Sequence, residues 1–362
     1  MTKKIRLALI AAVLIGSALV ANAASFRVNS KGGAHFRSVA EALATTLTSQ
    51  YYVQNGDTLY AEPGHVEPNS VTFNKKIVLI GPGYNFAESG YDVMNAESAV
   101  FKDISMSNST ANFSEVHGCI ANNIYLGDYC VANRCKINGQ PRISGDGCEI
   151  TNCYTYRVCV DGHHTGVKII GNIITGYFHD GTTNSVYTLT SATIANNTIV
   201  GWHTANLLHT GEFHMCNIYN NIIINTNTNL VQAAVDTVLR YSDYTIHPDL
   251  LANNSIHHNV LSTVQCPGSN TICNVATNIY GATVETVFVN NGLMEGQYEL
   301  KPGSPAIGAG SAGTDCGAYG GSQPYVKGGQ PGGIPYIYDA TFTTPSGNTN
   351  TINVNLKVRI PQ

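Results

Sequence analysis

Charge is scarce in this chain. Asp, Glu, Lys and Arg make up 12% of its 362 residues, and the net charge is −4. A nucleic-acid binder needs a basic patch to neutralise phosphates, so no nucleic-acid partner is expected. The ten cysteines include no C-x-x-C pair, which disfavours a zinc ribbon. No Gly-x-Ser-x-Gly elbow occurs, and Gly81-Pro82-Gly83 lacks the Lys-Ser/Thr of a phosphate loop. After Val20 no apolar run is long enough to span a bilayer. Long 3.6-periodic stretches are missing too, which excludes a fold of long helices.

Asn and Gly are plentiful, with 37 and 36 copies. An apolar content of 43% is too high for a disordered chain. Polar but uncharged, this composition predicts a turn-dense β protein.

The first residues read as an export signal, removed in the mature protein. Lys3, Lys4 and Arg6 precede an apolar run from Leu7 to Val20, and Ala21-Asn22-Ala23 is a small-x-small cleavage site. The expectation is a signal peptide over 1–23 and a soluble monomer, periplasmic or extracellular, with no membrane span. All ten Cys fall in the mature part, where disulfides are permitted. Cys266 and Cys273 bracket a Pro-Gly-Ser-Asn loop and form the best candidate pair. Those clustered between Cys119 and Cys159 are either bridges or small buried hydrophobes.

A unit of the form apolar–x–Asn–Asn–apolar recurs along the chain. It stands at Ile120-Ala121-Asn122-Asn123-Ile124, Ile169-Ile170-Gly171-Asn172-Ile173, Ile194-Ala195-Asn196-Asn197-Thr198 and Ile218-Tyr219-Asn220-Asn221-Ile222. Ile150-Thr151-Asn152-Cys153 and Ile256-His257-His258-Asn259-Val260 are degenerate copies, and Val238 is a candidate start for a further one. Val131-Ala132-Asn133 also matches but follows Ile120 too closely for one turn of chain, so the register between 118 and 148 is open. A period of about 20–25 residues built from short apolar runs predicts one coil of a β-solenoid, with equivalent side chains stacked about 4.8 Å apart. Stacked Asn amides can then hydrogen-bond to one another along the axis.

Both ends read as caps. Phe36, Val39, Ala40, Leu43 and Leu47 fall at helical spacing, and Thr58-Leu59-Tyr60-Ala61 reads as the first strand. Val71 to Ile80 reads as a strand pair around Asn74-Lys75-Lys76. Ile352, Val354, Leu356, Val358 and Ile360 alternate, which predicts a terminal β-hairpin with Tyr338–Thr343.

Three segments carry a family resemblance. Phe36-Arg37-Ser38-Val39-Ala40-Glu41-Ala42-Leu43 leading to Gly56-Asp57-Thr58-Leu59-Tyr60-Ala61-Glu62-Pro63-Gly64, the Asn-Asn repeats, and Tyr298–Gly310 with Asp315-Cys316-Gly317-Ala318-Tyr319-Gly320 resemble the secreted right-handed parallel β-helix proteins of the pectate-lyase-like superfamily. Residues 323–362 resemble tails of exported proteins from Bacteroides-type bacteria. The resemblance implies an all-β, right-handed parallel β-helix (solenoid) of about ten coils over 24–322, with an N-terminal capping helix, followed by a tail with a C-terminal β-hairpin. It is nearly silent on activity, because one fold hosts many chemistries.

Candidate chemistry gathers near the middle of the chain. With equivalent positions at Ile150 and Ile169, Asp161-Gly162 and Asp180-Gly181 share offset eleven, which would stack two carboxylates able to hold calcium or work as acid and base. Asp-Gly is also a common turn pair. His163, His164, Tyr177, His179, Trp202 and His203 lie close by. Tyr177 and Trp202 share offset eight and suit the faces of sugar rings, while His163 or His179 could act as base. Arg157 could clamp a carboxylate or sit at a solvated corner. His257-His258 fall at ladder positions and read as structural.

The functional expectation is an exported polysaccharide-binding protein, with lyase chemistry on an acidic polysaccharide as its enzymatic form. One alternative is a non-catalytic surface or adhesive solenoid, towards which the scarcity of Lys and Arg leans. The other is a glycoside hydrolase with paired carboxylates.

Overall fold

The computed structural model describes residues 23–84, 97–180, 187–201, 211–226, 254–262, 276–292, 294–330, 336–343 and 353–359. The signal segment, Val238, Trp202, His203, Cys266 and Cys273 lie outside the described residues.

Among the described residues the chain is all-β, with long parallel sheets stacked in the manner of a solenoid. One complete turn shows how. Glu149–Thr151 lies in the first sheet, and Asn152-Cys153 turns the chain into Tyr154–Thr155 and Val158–Val160 of the second. His163–Thr165 belongs to a third sheet, and Gly166-Val167 returns the chain to the first at Lys168–Ile170. Lys168–Ile170 pairs in parallel with Glu149–Thr151, so the next turn sits directly on the last.

Register fixes the core. Phe26, Leu59, Leu79, Val116, Ala132, Ile150, Ile169, Ile194, Ile218 and Ile256 are successive partners down the first sheet. From Leu59 to Ile256 every member of that column is buried in one cluster. Each buried aliphatic contributes about 1.5–3 kcal/mol, so the stacked column, rather than local propensity, holds the coils together.

The Asn-Asn signature divides into two roles. Its first position turns left-handed: Gly118, Arg134, Asn152, Gly171, Asn196, Asn220 and His258 all have φ between 52° and 70°. Only Gly adopts that conformation freely, with Asn next, hence the recurrence of those two residues. Its second position points inward and carries a ladder. Asn172, Asn197, Asn221 and Asn259 are buried, and each donates from Nδ2 to the next Oδ1 at 3.0–3.4 Å. The same amides donate to the preceding coil at Ile150, Ile169, Ile194 and Ile218 carbonyls. Buried polar groups at the bend are thereby satisfied.

Three expectations are corrected. Ile120–Leu126 belongs to the second sheet, and the first-sheet strand of that region is Val131–Asn133, so the unit at Ile120 is not a copy of the others. The helix covers Val39–Leu43 only and leaves Ala40 and Leu47 exposed; Ser38 caps its start, and Lys75 Nζ takes the Thr45 carbonyl just beyond its end. Val71–Thr72 and Val78–Ile80 are strands of different sheets, not a pair, because Asn74-Lys75-Lys76 turns a corner of the coil. The terminal hairpin is present, with Tyr336–Thr343 antiparallel to Asn353–Arg359.

Among the described residues eight cysteines are buried free thiols: 119, 130, 135, 148, 153, 159, 216 and 316. In the region between Cys119 and Cys159 the buried-hydrophobe reading holds. Cys135 and Cys153 occupy the inward corner position that Asn takes later. Cys135 Sγ donates to Val116 O and Cys153 Sγ to Ala132 O, the same carbonyl on the preceding coil that Asn172 reaches at Ile150.

After residue 300 the chain runs back along this corner. Cys316 Sγ donates to His258 O, Gly317 N to Asn220 O, Ala318 N to Thr198 Oγ1, and Arg134 Nη1 to Gln330 O. This strap covers the edge of the second sheet nearest the ladder, packing Ala318 and Tyr325 on Ile173, and Cys316 with Ile222 and Val260.

Candidate functional site

Beside the strap, the outer face of the second sheet carries a set of partly exposed polar side chains. Val100–Met106, Ile120–Leu126 and Lys136–Ile143 run in parallel, with Ile104, Ile124 and Ile137 turned into the core. Asp103, Asn123 and Gln140 are register partners on the outside, and Ser105, Tyr125, Arg142, Cys159 and His179 form a second column in which Cys159 is buried. Gln140 reaches its place through a bulge between Ile137 and Gln140. Gly139 makes the bulge possible, because a Cβ there would stand 2.6 Å from Asn123 Oδ1.

These side chains form a continuous chain of hydrogen bonds. Ser70 Oγ donates to Asp103 Oδ2 at 2.9 Å, and Asn123 Nδ2 to Asp103 Oδ1 at 2.8 Å. The Gln140 backbone N–H donates to Asn123 Oδ1 at 3.2 Å, and His179 Nε2 meets Gln140 Oε1 at 2.8 Å.

A second cluster adjoins it. Asp161 takes Arg142 in a two-pronged contact, Nε to Oδ2 at 2.5 Å and Nη2 to Oδ1 at 2.8 Å, with Ser144 Oγ donating at 3.0 Å. Burial alone would push the Asp161 carboxyl up, but the hydrogen bonds from Arg142 and Ser144 and the guanidinium charge outweigh it and hold it below the usual range. His164 Nε2 donates to the Asp161 carbonyl at 2.7 Å and so braces the corner. Its Nδ1 lies 3.6 Å from Asp146 Oδ1.

The expected stacking of Asp161 on Asp180 is not present. Val160, not Asp161, is the register partner of Asp180. Ile150 and Ile169 align, but Thr175-Gly176-Tyr177 has one residue more than Tyr156-Arg157, and alignment slips by one before the next strand. In a strand one step exchanges the two faces. Among the described residues no group of three or more His, Cys, Asp or Glu is placed to hold a metal.

The other expected residues are partly gathered. The Tyr177 and His179 rings are 5.9 Å apart, and Tyr156 is 6.5 Å from Tyr177. Arg157 lies 5.8 Å over the Tyr156 ring. His163 is exposed on the third sheet, paired with Thr188. His257 and His258 face each other through Nδ1 at 2.8 Å on the first sheet, with Tyr219 stacked on His257. His258 makes the left-handed turn and the ladder place belongs to Asn259, so only one of the pair replaces an Asn.

Asp103, Asn123, Gln140 and Arg142 are the residues sequence reading missed. Gln140 and Arg142 follow the bulge that breaks the repeat, and the alternation of Asn123-Ile124-Tyr125-Leu126 was the signal that could have found Asn123. Comparison with family models, curated proteins and solved structures yields no significant match to this chain.

Proposed function

We propose that this chain is an exported, right-handed parallel β-helix with capped ends that binds a polysaccharide along the outer face of its second sheet. One observation carries the reading: the chain of hydrogen bonds from Ser70 through Asp103, Asn123 and Gln140 to His179. Amide, hydroxyl and imidazole groups held in place across successive coils match the repeat of sugar hydroxyls without a large entropy cost on binding. Tyr156 and Tyr177 at one side supply ring faces or edges for the apolar patches of sugars. Trp202 and His203, expected to join them, lie outside the described residues.

Binding is better supported than bond cleavage. Asp161, the expected acid or cation ligand, is held by Arg142 and Ser144, and His179 is held by Gln140. Buried thiols fit export, because burial keeps them from the oxidants of that compartment.

The test is affinity electrophoresis of the mature chain through gels containing soluble polysaccharides. The expected result is retardation by at least one glycan, lost in a Gln140→Ala/His179→Ala double variant that keeps the wild-type circular dichroism spectrum. Equal retardation of the two proteins would refute the site, and no retardation by any glycan would refute the function.

A further inference from the structure

The first sheet begins beside a buried carboxylate that lacks a cation. Asp57 is 2% exposed, and among the described residues no Lys, Arg or His forms an ion pair with it. Lys75 acts on it only through space, since its Nζ is spent on the Thr45 and Val53 carbonyls. Carboxylates are almost never fully buried unless paired. Asp57 instead accepts from two backbone nitrogens, Gln54 N to Oδ2 and Ala24 N to Oδ1, each at 2.7 Å.

Resting on the reading of this chain as exported, we infer that Asp57 is the receptor for a new N-terminus: removal of the leader after Ala23 turns the Ala24 nitrogen into an ammonium that pairs with the Asp57 carboxylate and locks the first strand in place. Two independent observations meet on that nitrogen. Ala21-Asn22-Ala23 is a small-x-small cleavage site, which makes Ala24 the first mature residue. In the fold the nitrogen of the same residue stands at Asp57, while Ala23, across the bond to be cut, is exposed. When a signal peptidase hydrolyses the Ala23–Ala24 bond, the water oxygen stays on Ala23 as part of a carboxylate. Both water protons end on the Ala24 nitrogen, which becomes −NH3+.

The pair sits where it seats the first strand. Ala24 O accepts from Thr58 N at 2.8 Å, and Ser25–Val28 pairs with Thr58–Ala61 from there on. Ala24 is half-buried, so the remaining ammonium protons keep water and the cost of desolvating the charge is small. Before cleavage the same nitrogen is a neutral amide, and its hydrogen bond to a carboxylate lacks the charge on the donor. Processing therefore strengthens the seat of the first strand.

The exported protein is first read by N-terminal sequencing, with Ala24 the expected start. A start elsewhere overturns the inference and leaves polysaccharide binding standing; a chain retained in the cell with its leader intact overturns export as well. The mature chain is then compared with one carrying a single extra Gly before Ala24, which returns that nitrogen to an amide. The urea midpoint is expected to be lower in the extended chain by roughly 0.5 M, and the difference to vanish when both carry Asp57→Asn. Equal midpoints with Asp57 present overturn the inference. A second readout needs no change at Asp57. At pH 7 an acylating reagent should modify the α-amine of the chain starting at Ala24 about tenfold more slowly than that of the extended chain, because pairing keeps it protonated. Equal rates would show that the ammonium does not reach Asp57.

Discussion

The backbone N–H of Cys153 donates to Oδ1 of Asn172 at 2.8 Å, and at this bond the corner of the coil passes from thiols to amides. One coil earlier the N–H of Cys135 meets Cys153 Sγ at 3.4 Å, and one coil later the N–H of Asn172 meets Asn197 Oδ1 at 3.0 Å. A thiol and an amide thus fill one role, accepting from the backbone on one side and donating to a carbonyl on the other. The thiol does so through longer, weaker bonds.

The two Asn of the signature should therefore respond differently to substitution. Asn197→Ala strands the Ile169 carbonyl and the Asn172 N–H, and should cost about 2–4 kcal/mol in urea unfolding. Asn196→Gly should change stability by less than about 1 kcal/mol, since φ is 54° and Asn196 Nδ2 has no hydrogen-bond partner. Gly171 already holds that place beside Asn172. Equal losses from the two changes would contradict the division of roles.

Thiol chemistry gives a second expectation. Burial pushes Cys148, Cys159 and Cys316 up to about 12, and Cys119 and Cys153 well above their ordinary value. In a Cys266→Ser/Cys273→Ser variant, a disulfide reagent at pH 8 should label none of the eight remaining thiols until denaturant is added. Rapid labelling of the native protein would show that they are accessible.

The same shifts set a pH dependence. A thiol whose folded pKa is raised stabilises the fold fully below its unfolded value, near 9. That contribution declines as pH rises and is gone above the folded value, about 12. The urea midpoint should fall steadily across that window. A flat midpoint from pH 9 to pH 11.5 would refute the burial of these groups.

The strap can be tested at Gly317. Its φ is 87°, and a Cβ there would lie 2.5 Å from Ile222 Cδ1. Gly317→Ala should cost about 1–3 kcal/mol by lifting the strap from the second sheet. A neutral change would mean that the strap does not press on that column.

Much of the fold was legible because the Asn-Asn repeat is a direct print of the corner: one residue for the left-handed turn and one for the ladder. Alignment of Ile150, Ile169, Ile194 and Ile218 could be read from spacing alone, and the structure places these four in one column. The ladder's continuation into Cys153, Cys135 and Cys119 was hidden, because thiol and amide share no sequence likeness. The site was less legible. One extra residue at Tyr177 and a bulge at Gly139 displace the outer-face register, and no spacing rule reveals which strand absorbs such a residue. Arg142 was missed for that reason, although it is the partner that decides what Asp161 can do.

The most direct test of the account is nuclear magnetic resonance with soluble oligosaccharides added to the isotopically labelled mature chain. The predicted result is that the side-chain amides of Asn123 and Gln140 and the ring of His179 shift on titration, while the buried ladder amides of Asn197 and Asn221 stay fixed. Shifts centred on the outer face of the first sheet, around Tyr219 and His257, would contradict it.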